Sequence, residues 1–343
     1  MSSILTLQQR KNALLHLGEY LLSADEELND IIQSSRHYNA WFTPDEVSKA
    51  VKAFGALLTK TNLDLWLNFE SQTVPGKKIG LVLAGNIPLV GFHDILAVLC
   101  TGHTALIKLS SQDPKLIPHI LNKLVAYEPL FGEKIIYRDK LEGYDAVIAT
   151  GSNNTSRYFE YYFGSVPHII RKNRNSVAVL SGDETSEELK LLGHDIFDYF
   201  GMGCRNVSKV FVPEEYDFKK FFESIESFGQ VINHHKYNNN YDYNKSIYLV
   251  NREAHLDNGF ILVKEETRLA SPLAVLYYEP YKSLKTVESK LNEISQNIQC
   301  LVSSINLNTP IQQVYFGQSQ QPKLWDYADG INTIEFLLSL YHP

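Results

Sequence analysis

Apolar residues recur at helical spacing over residues 4–35, with Leu5, Leu14, Leu15, Leu21 and Leu22 among them, and predict a helix there. A second helix is expected to begin at Thr43-Pro44-Asp45-Glu46. Thr43 can cap it, Pro44 suits a first turn that does not use its missing N–H, and Glu46 completes a capping box. Val47, Val51, Phe54 and Leu57 then share a face, and a short third helix follows Asn62. The pattern changes at Lys77. Apolar runs at 77–84, 104–109, 134–137, 144–150 and 176–180 read as buried strands. Helices are expected at 88–101, after Asp113-Pro114, and at 153–162. This alternation predicts an α/β fold with a mostly parallel sheet covered by helices on both faces.

A helix is expected from Gly182-Asp183-Glu184 to near Phe200, and a second α/β lobe after it. Its strands are predicted at 207–212, 246–250, 260–264 and 273–278, and its helices at 217–232 and 283–296. The biased stretch Asn233–Asn244 is expected to be a surface loop, or else a loop that covers a substrate. A chain of 343 residues exceeds what one ordinary core takes, so two lobes are expected.

Composition narrows the function. An apolar share of 44% suits a globular protein with a sizeable core. A net charge of −7 without a Lys/Arg run disfavours a sequence-independent grip on nucleic acid, which needs many phosphate contacts. A small basic pocket for one phosphate ligand is compatible with it. The three cysteines, Cys100, Cys204 and Cys300, are widely spaced and match neither a disulfide framework nor a zinc motif. A reducing, cytoplasmic setting is therefore expected. The N-terminal residues do not read as a signal peptide. The richest apolar stretch, Ile79–Cys100, is interrupted by Gly85-Asn86, Pro88 and His93-Asp94, so no transmembrane segment is expected.

Cys204 is the first candidate for chemistry. It sits in Gly201-Met202-Gly203-Cys204-Arg205-Asn206, between a predicted helix and a predicted strand. Glycines there permit unusual dihedrals, and Arg205 would favour a thiolate, the reactive form. The competing reading is a small buried hydrophobe. That reading suits Cys100, on an apolar helix face, and Cys300, in a strand. Gly201 and Gly203 do not make a dinucleotide loop, because a helix precedes them and the third glycine is missing. Asn86 lies where a strand gives way to a helix, the edge at which open α/β sheets bind ligands; an ordinary helix cap explains it equally well. Thr150-Gly151-Ser152 occupies the same kind of junction, where backbone N–H groups suit a phosphate, or where a plain turn would serve. Lys108, near the end of its strand, would be a costly charge if buried without a ligand or partner. His234-His235 are adjacent and no HExxH pattern exists, so no metal site is expected. Neither a GxSxG elbow nor a GxxxxGK[ST] loop is present.

In order and spacing, these segments resemble the aldehyde dehydrogenase superfamily, and most of all its acyl-CoA reductase branch, typified by the fatty-acid reductases of bacterial bioluminescence. The likeness runs over about residues 75–340. LAGNIPLVGFHDILAVLCTGHTALIKLSSQDP is similar to the family's Asn-Phe-Pro segment, helix and Lys-Pro-Ser segment. It implies that Asn86 is the oxyanion asparagine and that Lys108 touches the adenosine ribose. Thr150-Gly151-Ser152 resembles the Thr-Gly-Ser turn beside the nicotinamide and pyrophosphate. Gly201–Arg205 resembles the Gly-Gln-x-Cys nucleophile segment, with Met202 in place of Gln. Ser271-Pro272-Leu273 resembles a degraded Glu-x-Phe-Gly-Pro segment, which makes Pro272 a cofactor-side residue. The implied architecture is aldehyde-dehydrogenase-like: two α/β lobes, one Rossmann-like for the cofactor and one carrying the cysteine. The expected segments are N-terminal helices over 1–75, the cofactor lobe over 76–181, the catalytic lobe over 182–320, and a C-terminal segment over 321–343 that returns to the core.

Two departures shape the functional expectation. Arg171 falls where the family's general-base Glu would be, and Arg268-Leu269 fall near the place of the ribose-binding Glu. Hydrolysis of a thioacyl intermediate needs a base to activate water, whereas exchange with coenzyme A does not. The resemblance thus implies an acyl-CoA reductase. Cys204 attacks the thioester, Asn86 and the Cys204 N–H hold the oxyanion, coenzyme A leaves, and NADPH or NADH reduces the acyl-enzyme to an aldehyde. Alternatives are the oxidative, CoA-acylating direction, a non-redox acyltransferase using Cys204, and a non-catalytic acyl-CoA-binding or interaction protein. The acyl donor is expected to be an acyl-CoA, an acyl-carrier protein or an acylated partner enzyme, and a homodimer is a family-level expectation.

Overall fold

The computed structural model describes residues 5–70, 74–151 and 153–341. The chain forms two compact units, residues 1–172 with 323–343, and residues 173–322.

The first unit opens with four helices, α1 (Leu7–Leu22), α2 (Glu26–Ser34), α3 (Pro44–Leu57) and α4 (Lys60–Trp66). The helix expected over 4–35 is thus two. Ser23 ends the first, and Asp25 caps the second by accepting the Leu28 N–H at 2.9 Å. Thr43 caps α3 as its sequence predicts, with Pro44 in the first turn. The sheet follows as β1 (Lys78–Val82), α5 (Phe92–Cys100), β2 (Thr104–Lys108), α6 (Leu116–Tyr127), β3 (Ile135–Tyr137), β4 (Ala146–Thr150), α7 (Asn153–Phe163) and β5 (His168–Arg171). All five strands are parallel, in the order β3-β2-β1-β4-β5. The order reverses between β1 and β4, which makes the carboxyl ends of those two strands the topological switch point of the sheet. The strand β5 escaped the sequence pattern. Helix α5 starts four residues later than expected, because Leu89 (φ 61°) and Gly91 (φ 79°) take left-handed conformations that no α-helix tolerates. Every residue of α5 except His93 is buried, so it serves as the apolar centre of the unit. The C-terminal helix Thr333–Ser339 packs against α5 and completes the unit.

The second unit contains β6 (Asn175–Val179), α8 (Ser186–Phe197), β7 (Val207–Pro213), α9 (Lys219–Ser224), α10 (His235–Asn251), β8 (Leu256–Asp257), β9 (Leu262–Glu265), β10 (Val275–Tyr281), α11 (Leu284–Glu293), β11 (Ile298–Val302) and β12 (Gln313–Val314). The strand order is β12-β11-β6-β7-β10-β9-β8, parallel except for the pairing of β8 with β9. Because β6 pairs in this sheet, the division falls at 172/173 rather than at the 181/182 boundary expected from the sequence. Alternate residues of β6 face opposite layers, as two-sided burial requires. Ala178 packs toward α8, while Val177 and Val179 pack toward Val287 and Leu291 of α11.

The loop expected at 233–244 and the strand expected at 246–250 are together one helix, α10. Its buried face is Tyr237, Tyr241, Asn244 and Tyr248, at helical spacing but polar in character. Each of the first three reaches the rest of the unit through a polar atom: Tyr237 Oη donates to the Phe260 carbonyl, Tyr241 Oη to Asp257, and Asn244 Nδ2 to the Leu273 carbonyl. A hydropathy pattern cannot detect such a face. The helix expected at 217–232 is likewise broken, into α9 and a 3-10 turn over Glu226–Asn233.

Candidate active site

Cys204 lies in the turn just ahead of β7, half-buried, after a backbone that no regular element would adopt. Helix α8 ends at Phe197, and Tyr199 (φ 53°), Phe200 (φ 58°) and Gly201 (φ 75°) then run left-handed in succession. Gly203 follows at φ 109°. Left-handed conformations on two bulky aromatic residues cost energy and persist only where the surroundings impose them. Here both side chains are buried. Cys204, Arg205 and Asn206 are each anchored to a different element. The Cys204 carbonyl accepts from Ser176 Oγ of β6 at 3.0 Å. The Arg205 guanidinium donates to Gln312 Oε1 at 2.9 Å and to the Ser319 carbonyl at 3.3 Å. The Asn206 amide donates to the Ile196 and Asp195 carbonyls at 2.6 and 3.2 Å, occupying the otherwise orphaned end of α8. Asp195 holds the loop behind Arg205 by accepting the Gly317 and Ser319 N–H groups at 2.7 and 2.8 Å, although burial raises its carboxyl to about 6.

The other two cysteines are fully buried, and burial pushes the Cys100 thiol up to about 12 and raises that of Cys300 as well. Among the described residues none of the three forms a disulfide.

In the first unit, Asn86 is exposed in the loop over 83–91 that follows β1. It does not cap α5, whose N-cap is Gly91, so the helix-cap explanation falls. Its loop is held from two sides. Asn39 Nδ2 donates to the Gly85 carbonyl at 2.8 Å, and Asp113 accepts the Leu89 N–H at 3.4 Å. A Cβ on Gly85 would lie 2.3 Å from Ser110 Oγ, so only glycine lets the two loops pass. Thr150 ends β4, and Gly151 follows it as the chain turns into α7. A Cβ there would meet the Phe159 ring at 2.8 Å. Asn86 and Thr150-Gly151 therefore both stand at the switch point between β1 and β4. Ser152 lies outside the described residues. Lys108 is the exposed last residue of β2, with Nζ donating to the Asp139 carbonyl at 2.9 Å. The expected burial cost of its charge is absent.

Residues 8–228 match the model of the LuxC acyl-CoA reductase family. The chain belongs to this family. It is accordingly an oxidoreductase acting on aldehyde or acyl-CoA. No curated protein matches its sequence. Its fold is that of the aldehyde dehydrogenases. Aldehyde dehydrogenase 21 from Physcomitrella patens, solved with its product succinate, superposes with a TM-score of 0.69 at 13% identity, over 98% of this chain and 84% of that one. An indole-3-acetaldehyde dehydrogenase solved with NAD+ gives 0.69 at 11% identity, over 98% and 83%. The NADP-dependent glyceraldehyde-3-phosphate dehydrogenase of Bacillus halodurans, solved with NADP, gives 0.60 at 15%, over 88% and 74%.

Arg171, where the family resemblance places the general base, is no base in this LuxC-family chain. It ends β5 in the first unit, buried, with Nη2 and Nε on the two oxygens of Asp94 at 2.6 and 3.3 Å. Nη1 donates to the Ala328 carbonyl at 2.6 Å and Nη2 to Thr333 Oγ1 at 3.0 Å. It ties the C-terminal helix to α5. Pro272 lies in the second unit ahead of β10, and its carbonyl accepts the Val275 N–H at 3.1 Å. The turn is closed by Ser271 Oγ donating to the Val275 carbonyl at 2.6 Å, and Ala274 takes a left-handed φ of 63°. Arg268 is exposed, pairs with Glu266 at 2.6 Å and sits over the Tyr277 ring. Ser176 and Asn39 were not singled out from sequence. Nothing local marks them, because each acts across more than 25 residues of chain. Among the described residues no group of His, Cys, Asp and Glu is arranged to hold a metal, and no helix is long and apolar enough to cross a membrane.

Proposed function

We propose that this family member reduces an acyl thioester, most favourably a fatty acyl-CoA, to an aldehyde with NADPH or NADH, through an acyl-enzyme on Cys204. The observation that carries this is the treatment of the three cysteines. Two are fully buried, and the third stands half-exposed on a strained turn whose following residues are each anchored. The residues of the first unit fit a nicotinamide cofactor. Lys108 presents an exposed ammonium at the end of β2, and Gly151 permits a close strand-to-helix turn at which an anion can approach α7. Thr150, Gly151 and Lys108 are the proposed cofactor contacts, with Ser152 and Pro272 carried over from the family resemblance.

The Cys204 thiolate forms a C–S bond to the thioester carbonyl carbon. The Cys204 N–H and the Asn86 amide are the proposed donors to the oxyanion, and one such donor typically lowers a barrier by about 3 kcal/mol. Collapse breaks the bond to coenzyme A, whose thiolate leaves and takes up a proton. The cofactor, when bound, supplies the hydride. Expulsion of the Cys204 thiolate then releases the aldehyde. Arg171 is locked to Asp94 and cannot activate water, which favours exchange with a thiol over hydrolysis. The free acyl donor is proposed to be acyl-CoA, with a carrier protein or acylated enzyme as the other sources.

The test is a purified-protein assay over a panel of acyl-CoAs with NADPH or NADH, following cofactor oxidation and trapping the aldehyde. Oxidation matched by aldehyde and lost in Cys204→Ala is expected. Acyl label on Cys204 without cofactor oxidation would make the protein an acyltransferase. Wild-type aldehyde formation by Cys204→Ala would remove Cys204 from the chemistry.

A further inference from the structure

Ser176 occupies the one place in the second sheet where both neighbouring ladders lose register. Against β7, pairing slips between Ser176 and Val177; against β11, it slips between Ile298 and Leu301, so that Gln299 and Cys300 together face Ser176. A slipped ladder leaves backbone groups without their regular partners. Ser176 is fully buried, and its hydroxyl takes up one of them, the Cys300 N–H. Ser176 Oγ accepts the Cys300 N–H at 3.3 Å and stands 3.1 Å from Cys300 Sγ. It also donates to the Cys204 carbonyl at 3.0 Å, while the Ser176 N–H donates to the Asn206 carbonyl at 3.0 Å. The hydroxyl has a single proton. The Cys300 thiol, kept protonated by burial, can supply its own hydrogen to Oγ, which leaves the serine proton for the Cys204 carbonyl.

We propose that Ser176 is a positioning residue for the nucleophile: it fixes the peptide plane between Cys204 and Arg205, and, through the Cys204 Cα in that plane, the placement of the Cys204 thiolate. The proposal rests on Cys204 being the nucleophile. The left-handed residues 199–201 shape the turn upstream of the reacting atom; the Ser176 hydroxyl is bonded to the carbonyl of Cys204 itself. Without it, the carbonyl is free to rotate toward another donor, and the thiolate moves with its own backbone. A small misplacement of a reacting group is costly in rate even when the fold is intact.

The test is single-turnover acylation by the radiolabelled acyl-CoA that turns over fastest in the panel, in the wild-type protein, Ser176→Ala and Ser176→Cys. Both the rate constant and the final stoichiometry of label on Cys204 are recorded. A purely structural role would lower the stoichiometry, because fewer molecules are folded, and leave the rate constant of the folded ones alone. Positioning predicts nearly full label in Ser176→Ala at a rate constant lowered about 10- to 100-fold. Ser176→Cys, which keeps a weaker donor of similar size, should fall between. An unchanged rate constant in Ser176→Ala overturns the proposal, whatever the stoichiometry. If wild-type protein takes up no label on Cys204, the nucleophile assignment itself fails and takes the role of Ser176 with it.

Discussion

Replacing Arg171 by Met is expected to destabilise the first unit severely while leaving the chemistry of surviving molecules intact. The guanidinium and the Asp94 carboxylate are 6% and 8% exposed, so each has given up nearly all its water. Removing the arginine leaves a buried carboxylate without its cation, a change that typically costs about 3–5 kcal/mol. It also strips donors from the Ala328 carbonyl and Thr333 Oγ1, and so loosens the C-terminal helix. In a unit of roughly 150–250 residues each kcal/mol moves the melting temperature by about 2–4 °C, so a drop on the order of 10 °C is expected. The Asp94→Leu/Arg171→Met double variant should recover much of this, because replacing both partners removes the stranded charge. Differential scanning calorimetry on the two single variants and the double variant completes the cycle. A loss below about 2 °C in Arg171→Met would refute the reasoning, as would a double variant no better than the sum of the singles. Arg171→Glu sharpens the functional point. It would set two carboxylates against each other in a buried site rather than restore a hydrolytic base, so it should unfold the protein and produce no fatty acid from acyl-CoA.

Three further outcomes are expected. Asn86→Ala should lower kcat at saturating acyl-CoA by about 100-fold or more, and an unchanged kcat would remove Asn86 from the oxyanion site. In the native protein, iodoacetamide should modify Cys204 well before Cys100 or Cys300, and equal rates of labelling found by peptide mapping would contradict the burial contrast. His103 is pushed down to about 4, chiefly by burial, which outweighs the opposing bond to the Leu337 carbonyl. Its Nδ1 already accepts the Lys77 N–H at 2.9 Å, so the folded state has no room for a second ring proton. Its folded pKa lies below the unfolded value of 6.5, so its contribution is complete above pH 6.5 and is lost as pH falls toward 4, by up to about 3 kcal/mol. Denaturant unfolding of His103→Gln between pH 6.5 and 4 should show a shallower acid slope than wild type, and parallel slopes would refute the assignment.

Much of this protein was determined locally. Thr43-Pro44 starts a helix because a capping hydroxyl and a proline at the first turn are properties of adjacent residues. The apolar runs that became β1, β2, β4, β6 and β7 announced themselves because a strand buried on both faces must be apolar throughout. The position of Cys204, in a glycine-flanked turn between a helix and a strand, followed from the same kind of local evidence, as did the contrast with Cys100 and Cys300. Tertiary structure decided the rest. Helix α10 is buried through tyrosine and asparagine side chains whose polar atoms find carbonyls on other elements, so its sequence alone resembles a loop. Helix α5 begins late because the 83–91 loop is held by Asn39 and Asp113, residues distant in sequence. Arg171 became a structural cation only when folding set Asp94 of α5 and the C-terminal helix around it. Ser176 gained its place beside Cys204 because two ladders slip at one point, and pairing register is a property of neighbouring strands that no single segment contains.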